Sequence, residues 1–141
     1  MKIIYKYLLF TFLLFNFSCN DSDAPININE KYRIVVESFI KDKSNVIIPD
    51  YNADVFIYWG IYSLEIVDFE LREDGTMISD SKVIKPSLIS NINSIGECTF
   101  EFEQIDEKIT IIIRSKIKQG GVAISSFTNS RYEINFINVF Q

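Results

Sequence analysis

Carboxylate side chains crowd one short stretch of the sequence, and they are the residue types best suited to chemistry there. Residues 64–74 include Glu65, Asp68, Glu70, Glu73 and Asp74. Convergent carboxylates serve general acid–base catalysis or bind calcium. Alternation over residues 64–72 predicts a strand with Asp68 and Glu70 on one face, and Arg72 follows on that face. An exposed strand rim explains this pattern, so we predict neither a catalytic nor a metal site here.

The rest of the sequence offers little other catalytic chemistry. It contains no histidine, which removes Ser-His and Cys-His nucleophilic pairs and histidine metal ligation. It also contains no EF-hand loop, phosphate-binding glycine loop or zinc-ligand spacing. The formal net charge of −5 lacks the basic footprint of a nucleic-acid-binding protein. We therefore predict a protein that is not an enzyme, uses no cofactor and binds no nucleic acid.

Four aromatic residues, Tyr51, Tyr58, Trp59 and Tyr62, offer a different chemistry, which is stacking. In a regular strand Tyr58 and Trp59 point to opposite faces. We predict that Trp59 packs inward and that Tyr58 lies on the surface, joined by Tyr62 if a bulge at Gly60 resets the register. Such a platform would bind a sugar ring. The alternative is an ordinary aromatic core and its edge.

The two cysteines differ in context. Cys98 stands at the start of an apparent strand, and its acidic neighbours Glu97 and Glu101 disfavour a reactive thiolate. We therefore predict that Cys98 is a small buried apolar residue. Cys19 follows an N-terminal apolar segment and has a different role.

The N-terminal segment has the organisation of a secretory signal peptide. Lys2 and Lys6 flank its start, an apolar run covers residues 7–15, and Ser18 supplies a small residue before a cleavage site. The run is shorter than the about 20 apolar residues that cross a bilayer. An uncleaved membrane anchor is the alternative.

A resemblance to the bacterial lipobox lies at Phe15-Asn16-Phe17-Ser18-Cys19. Asn16 and Phe17 replace the usual leucine and small residue, and this relaxed form is similar to that of Bacteroidota-type lipoproteins. The resemblance implies cleavage after residue 18, acylation of Cys19 and anchoring in the outer membrane. Each buried methylene of the acyl chains contributes about 0.8 kcal/mol. An ordinary secretory signal with an incidental Cys19 is the alternative.

Residues 19–30 are polar, acidic and without clear periodicity, which is typical of a flexible tether. The acidic pair Asp21 and Asp23 is similar to the surface-export signal of some Bacteroidota lipoproteins, which implies a surface-exposed domain. A periplasm-facing position is the alternative. Removal of residues 1–18 takes away Lys2 and Lys6 and changes the net charge from −5 to −7.

Residues 31–141 are predicted to form one all-β domain. Period-two alternation and β-branched or aromatic residues predict strands within residues 33–41, 54–62, 64–72, 99–104, 109–118, 122–127 and 131–136. Residues 87–95 are predicted to form a loop. Short strands without helices indicate an antiparallel β-sandwich of about seven or eight strands.

The alternation also predicts a hairpin from residues 99–118, with its turn at Asp106-Glu107. Phe102 would then pair with Ile111, and Phe100 with Ile113, on one buried face. A basic row of Arg114, Lys116 and Lys118 would lie beside an acidic row of Glu101 and Glu103 on the other face. Cross-strand charge pairs explain these rows, and an anion-binding stripe is the alternative.

A second resemblance concerns the fold. Residues 41–55 look like the first hairpin of prealbumin-like and carboxypeptidase-regulatory-like sandwiches, and Asp74-Gly75-Thr76 is similar to a later turn of that family. This resemblance implies an Ig-like fold and no particular activity.

Together these observations predict a non-catalytic cell-envelope lipoprotein. It would be tethered to the outer membrane through Cys19 and act as an interaction module for another protein. The alternative is a carbohydrate-binding accessory lipoprotein of an outer-membrane glycan-uptake system, with Tyr58, Trp59 and Tyr62 as the stacking residues.

Overall fold

The computed structural model describes residues 31–103, 108–128 and 133–141. The predicted signal peptide, the tether, Cys19 and the Asp106-Glu107 turn lie outside these residues. A 3₁₀ helix covers Ser63–Ile66. The strands are β1 (Tyr32–Lys41), β2 (Ile47–Pro49), β3 (Asp54–Trp59), β4 (Glu70–Leu71), β5 (Met77–Ile78), β6 (Val83–Ile84), β7 (Leu88–Asn91), β8 (Glu97–Phe102), β9 (Lys108–Arg114), β10 (Val122–Thr128) and β11 (Glu133–Phe140).

The domain is all-β, as predicted, and its main sheets pack as a sandwich. Its described part has eleven strands rather than seven or eight, because several ladders are only two residues long. No helix among the described residues is long and apolar enough to cross a membrane.

Sheet 1 is organised around β1. β11 pairs with β1 in parallel from Arg33↔Glu133 to Ile40↔Phe140, and this is the one parallel ladder of the described chain. On its other side β1 pairs antiparallel with β8 over its first half and with β2 over its second half. β1 and β2 form a hairpin, and the Asp42 carboxylate accepts two backbone N–H bonds at its turn.

Sheet 2 has the order β10-β9-β3-β7, and its ladders are antiparallel. The main core lies between sheets 1 and 2 and is filled by alternating residues of both. Its fully buried members include Ile34, Val36, Val55, Ile57, Ile109, Ile111 and Ile113. This is the face-to-face packing of a β-sandwich.

A third layer covers the other face of sheet 2. Sheet 3 has the order β4-β5-β6, and together with the 3₁₀ helix it buries Phe56, Tyr58 and Ile112 against Ile66 and Met77. β3 and β9 are therefore buried on both faces. Strands in that position have nearly continuous apolar sequences rather than alternating ones, as the residues from Val55 to Tyr58 and from Ile111 to Ile113 show.

The predicted hairpin of residues 99–118 is wrong. β8 pairs with β1 in sheet 1, whereas β9 pairs with β3 and β10 in sheet 2. Phe100 and Ile113 both point into the main core, but they approach it from opposite sheets. The alternation correctly assigned the buried face of each strand, because face depends on parity and not on which strand is the neighbour.

Three further segments differ from expectation. Residues 64–72 form a 3₁₀ helix, a turn and the two-residue strand β4 rather than one strand. β9 ends at Arg114, so residues 115–118 leave the sheet. Residues 87–95 contain β7, which the loop prediction missed.

Candidate functional site

Tyr58 does not lie on the surface. Its side chain is completely buried beneath sheet 3, and its hydroxyl donates a hydrogen bond of 2.5 Å to the Gly75 carbonyl oxygen. Burial, followed by the charge of Asp74, raises the pKa of Tyr58 well above its ordinary value. The expectation of an exposed ring failed because the outer face of sheet 2 is itself covered.

Replacing Tyr58 with phenylalanine tests this anchoring. The change removes one hydroxyl and leaves the Gly75 carbonyl without that donor, so we expect the free energy of unfolding to fall by about 1–2 kcal/mol. Urea unfolding measures the effect. Tyr62→Phe is the matched control with an expected change below about 0.5 kcal/mol, because its hydroxyl bonds Thr128 Oγ1 at a partly exposed position. Equal losses in the two variants would contradict the prediction.

Trp59 and Tyr62 do not share a surface with Tyr58. Trp59 packs on the main core as expected, with its ring edge-to-face on Phe102 at a centroid distance of 4.9 Å. Tyr62 follows the end of β3, and Lys108 Nζ lies 4.8 Å from the centroid of its ring. The structure therefore does not unite the three predicted rings into one stacking platform.

Cys98 is buried at 6% exposure on the core face of β8. Burial raises the pKa of its thiol, and the Glu97 carboxylate acts in the same direction. Both effects disfavour the thiolate, so Cys98 has the environment of the inert core residue that its neighbours predicted.

The five carboxylates of residues 64–74 do not all meet, because Glu65, Asp68 and Glu70 line one cleft and Glu73 and Asp74 lie outside its lining. Glu65 and Asp74 stabilise turns: the Glu65 carboxylate accepts the N–H of Tyr62, and the Asp74 carboxylate accepts the N–H of Thr76. These backbone bonds are the main reason that the pKa of each group is lowered. Within the described ranges, no group of three or more acidic or cysteine side chains could hold a metal ion.

An open cleft of about 670 Å³ lies between the 3₁₀ helix and sheet 3. Its lining residues are Glu65, Asp68, Phe69, Glu70, Ile78, Ser79, Asp80, Ser81 and Lys82. The cleft is open and acidic, and Glu65 is already engaged by the N–H of Tyr62 and by Lys108 Nζ at 3.7 Å.

The predicted basic row is also rearranged. Arg114 Nη2 and Lys116 Nζ both lie 2.7 Å from the carboxylate of Asp54, and Asn91 Nδ2 donates to the same group at 3.0 Å. Burial acts to raise the pKa of Asp54, but the bonds from Lys116 and Arg114 outweigh it and lower the pKa. These cations therefore neutralise Asp54 rather than forming an anion-binding stripe.

Arg114 also attaches the third layer to sheet 2. Its guanidinium donates to the carbonyl oxygens of Arg72 and Glu73 in the β4–β5 turn and lies 5.4 Å from the centroid of the Phe56 ring. A second buried carboxylate, Asp50, accepts from Ser115 Oγ at 2.9 Å. Burial raises the pKa of Asp50, although this hydrogen bond partly offsets the shift. All of these polar groups maintain the fold.

No described layer covers the outward face of sheet 1. It carries the odd-numbered residues of β1, β8 and β11 and two residues of β2. Near the start of β1 this face is charged: Arg33 pairs with Glu101 and Glu133 in the ladders, and its guanidinium reaches towards Glu97 farther along the sheet. The other half of the face is apolar apart from Lys41, which pairs with Ile47.

We name this apolar half the distal patch; its members are Phe39, Ile47, Pro49, Ile137 and Val139. In the ladders, Phe39 lies between Val139 and Pro49, and Ile137 and Ile47 are the next outward residues of their strands. Ile47 is 58% exposed, Ile137 60% and Val139 40%. Contiguous exposed apolar surface commonly marks an interaction site.

The sequence analysis did not single out the distal patch. A usable signal exists in β11, where Ile134 and Phe136 have inward parity and yet Ile137 and Val139 are apolar as well. Apolar residues on both parities of an edge strand mark its second face as a candidate interaction surface. Comparison with known proteins finds no matching family model, no matching curated protein and no matching solved structure.

Proposed function

We propose that this chain is a lipid-anchored, non-catalytic protein of the cell envelope that acts as a tethered interaction module for another protein. The anchor is Cys19, the tether is residues 19–30, and the outer membrane is the site of attachment. The observation that carries the proposal is that the open face of sheet 1 is charged at one end and apolar at the other.

The change from charged to apolar runs along β1, the strand that the tether joins. β1 has ten residues and therefore extends for roughly 30 Å. Its tether end lies in the charged half of the face, and the distal patch lies at the other end. The charged half of the face is therefore next to the tether, and the apolar half is at the far end of β1. This arrangement suits a module that reaches for a partner in the adjacent compartment.

The fate of Cys19 tests the anchor. In the source cell, labelling with a fatty-acid analogue is expected for the native protein and lost in Cys19→Ala, because the lipobox resemblance makes Cys19 the residue that carries the acyl groups. Cys98→Ala is the matched control and is expected to retain full labelling, since Cys98 is buried. Labelling that persists in Cys19→Ala would overturn the proposed anchor.

Protease treatment of intact cells then assigns the orientation. Cleavage of the labelled domain is expected for a surface-exposed protein, and protection for one that faces the periplasm. Turnover of an envelope substrate by the purified protein, abolished by a single side-chain substitution, would contradict the non-catalytic role.

A further inference from the structure

Two acidic side chains border the distal patch. Glu37 is the outward residue of β1 that precedes Phe39, and it pairs directly with Glu97 of β8. Like charges opposite each other on a sheet destabilise the pair. Arg33 Nη2 lies 4.0 Å from Glu97, whereas Glu37 makes no ion pair with any residue of 31–103, 108–128 or 133–141. The apolar surface therefore ends at two carboxylates whose negative charge is only partly neutralised.

A second copy of the chain whose β1 strand runs parallel does not satisfy this surface. In such a face-to-face pair Glu37 would lie opposite the second Glu37, and Lys41 opposite the second Lys41. Like charges across an interface suppress association. An anionic lipid surface is also disfavoured, because the patch is bordered by the carboxylates of Glu37 and Glu97.

We propose that the distal patch binds a protein partner whose contact surface carries apolar side chains beside a lysine or arginine. The apolar groups would cover Phe39, Ile137 and Val139, and the cation would lie between Glu37 and Glu97. This inference rests on the proposed role as a tethered interaction module and adds the surface and the chemistry of the partner. Removing the apolar area from water supplies affinity, while the acidic pair supplies specificity and a faster encounter.

Photo-crosslinking in the source cell tests the proposal with the full chain. A benzoylphenylalanine at position 137 is expected to form an adduct with one protein, and the same residue at position 47 is a second probe of the patch. Position 89 is the matched control, because Ile89 is 57% exposed, like Ile137 at 60%, but belongs to sheet 2. There we expect no adduct with that protein.

Charge reversal provides the decisive comparison. Glu37→Lys combined with the probe at position 137 is expected to reduce the adduct at least about tenfold, because attraction becomes repulsion. Glu101→Lys reverses a charge near the tether end of the same face and is expected to leave the yield within about twofold. The crosslinked segment of the partner is expected to contain a lysine or arginine.

Several outcomes would overturn the inference. These are an adduct with a second copy or with lipid, the absence of a protein adduct at both positions 137 and 47, and a yield insensitive to Glu37→Lys. An adduct at position 89 alone would reject the distal patch but retain the tethered module. Loss of the module itself is detected separately, by labelling that does not depend on Cys19.

Discussion

Replacing Gly75 with alanine is expected to lower the free energy of unfolding by about 3–5 kcal/mol. Gly75 has a φ of +81°, and a Cβ at this position would lie 2.3 Å from Cδ1 of the buried Phe56 ring. The variant therefore combines the cost of a left-handed backbone with that of overpacking in the second core. Urea unfolding of the purified protein measures the loss.

Gly120→Ala separates these two costs. Gly120 has a similar φ of +69°, but no atom lies within 4 Å of the position that its Cβ would take. We expect a loss of about 1–2 kcal/mol from the backbone conformation alone. A Gly75→Ala variant as stable as Gly120→Ala would show that the β4–β5 turn does not press on Phe56 in solution.

Replacing Asp54 with alanine is expected to cost about 2–3 kcal/mol at neutral pH. The change removes the shared partner of Arg114 and Lys116 and leaves the guanidinium partly buried without its anion. Breaking a fully buried pair costs about 3–5 kcal/mol. The smaller value applies here because the Lys116 side chain is 52% exposed and rehydrates.

The contribution of Asp54 to the free energy of unfolding should decrease as the pH falls. Its pKa in the folded protein is lowered from the ordinary value of 3.8. The stabilisation is therefore complete above that value and is lost as the pH falls through the folded pKa. We expect the stability difference between the native protein and Asp54→Ala to narrow in acid.

A surface pair provides the control for this prediction. Glu70 and Arg72 are 3.4 Å apart, with side chains 67% and 54% exposed, so Glu70→Gln should change the stability by less than about 0.5 kcal/mol at neutral pH. A difference between native protein and Asp54→Ala that widens in acid would contradict the role assigned to Asp54.

The longer strands and their buried faces were largely predictable from the sequence, but strand partners were not. Phe100 and Ile113 were correctly placed on buried faces because a period of two fixes the face of each residue. The same alternation is compatible with a hairpin in one sheet or with two strands in facing sheets. The short connection favoured the hairpin, while the structure pairs β8 with the distant β1.

The third layer explains most of the errors about the candidate site. Tyr58 was expected on the surface because β3 was treated as a strand with one solvent-exposed face. The continuous apolar run from Val55 to Tyr58 indicated burial on both faces, but short apolar runs are ambiguous without their covering strands. The covering ladders of sheet 3 have only two residues per strand, which is too short for a period to be recognised.

The pairing of β1 with β11 joins the first and last strands of the described chain. The ladder includes Ile40↔Phe140, a pair separated by a hundred positions along the chain. Topologies dominated by such distant contacts fold slowly, because a long loop must close before its contacts form. Sheet 1 cannot be completed until residues 133–140 have been synthesised. A chain that ends before residue 133 would leave the edge of β1 exposed as a template for aggregation.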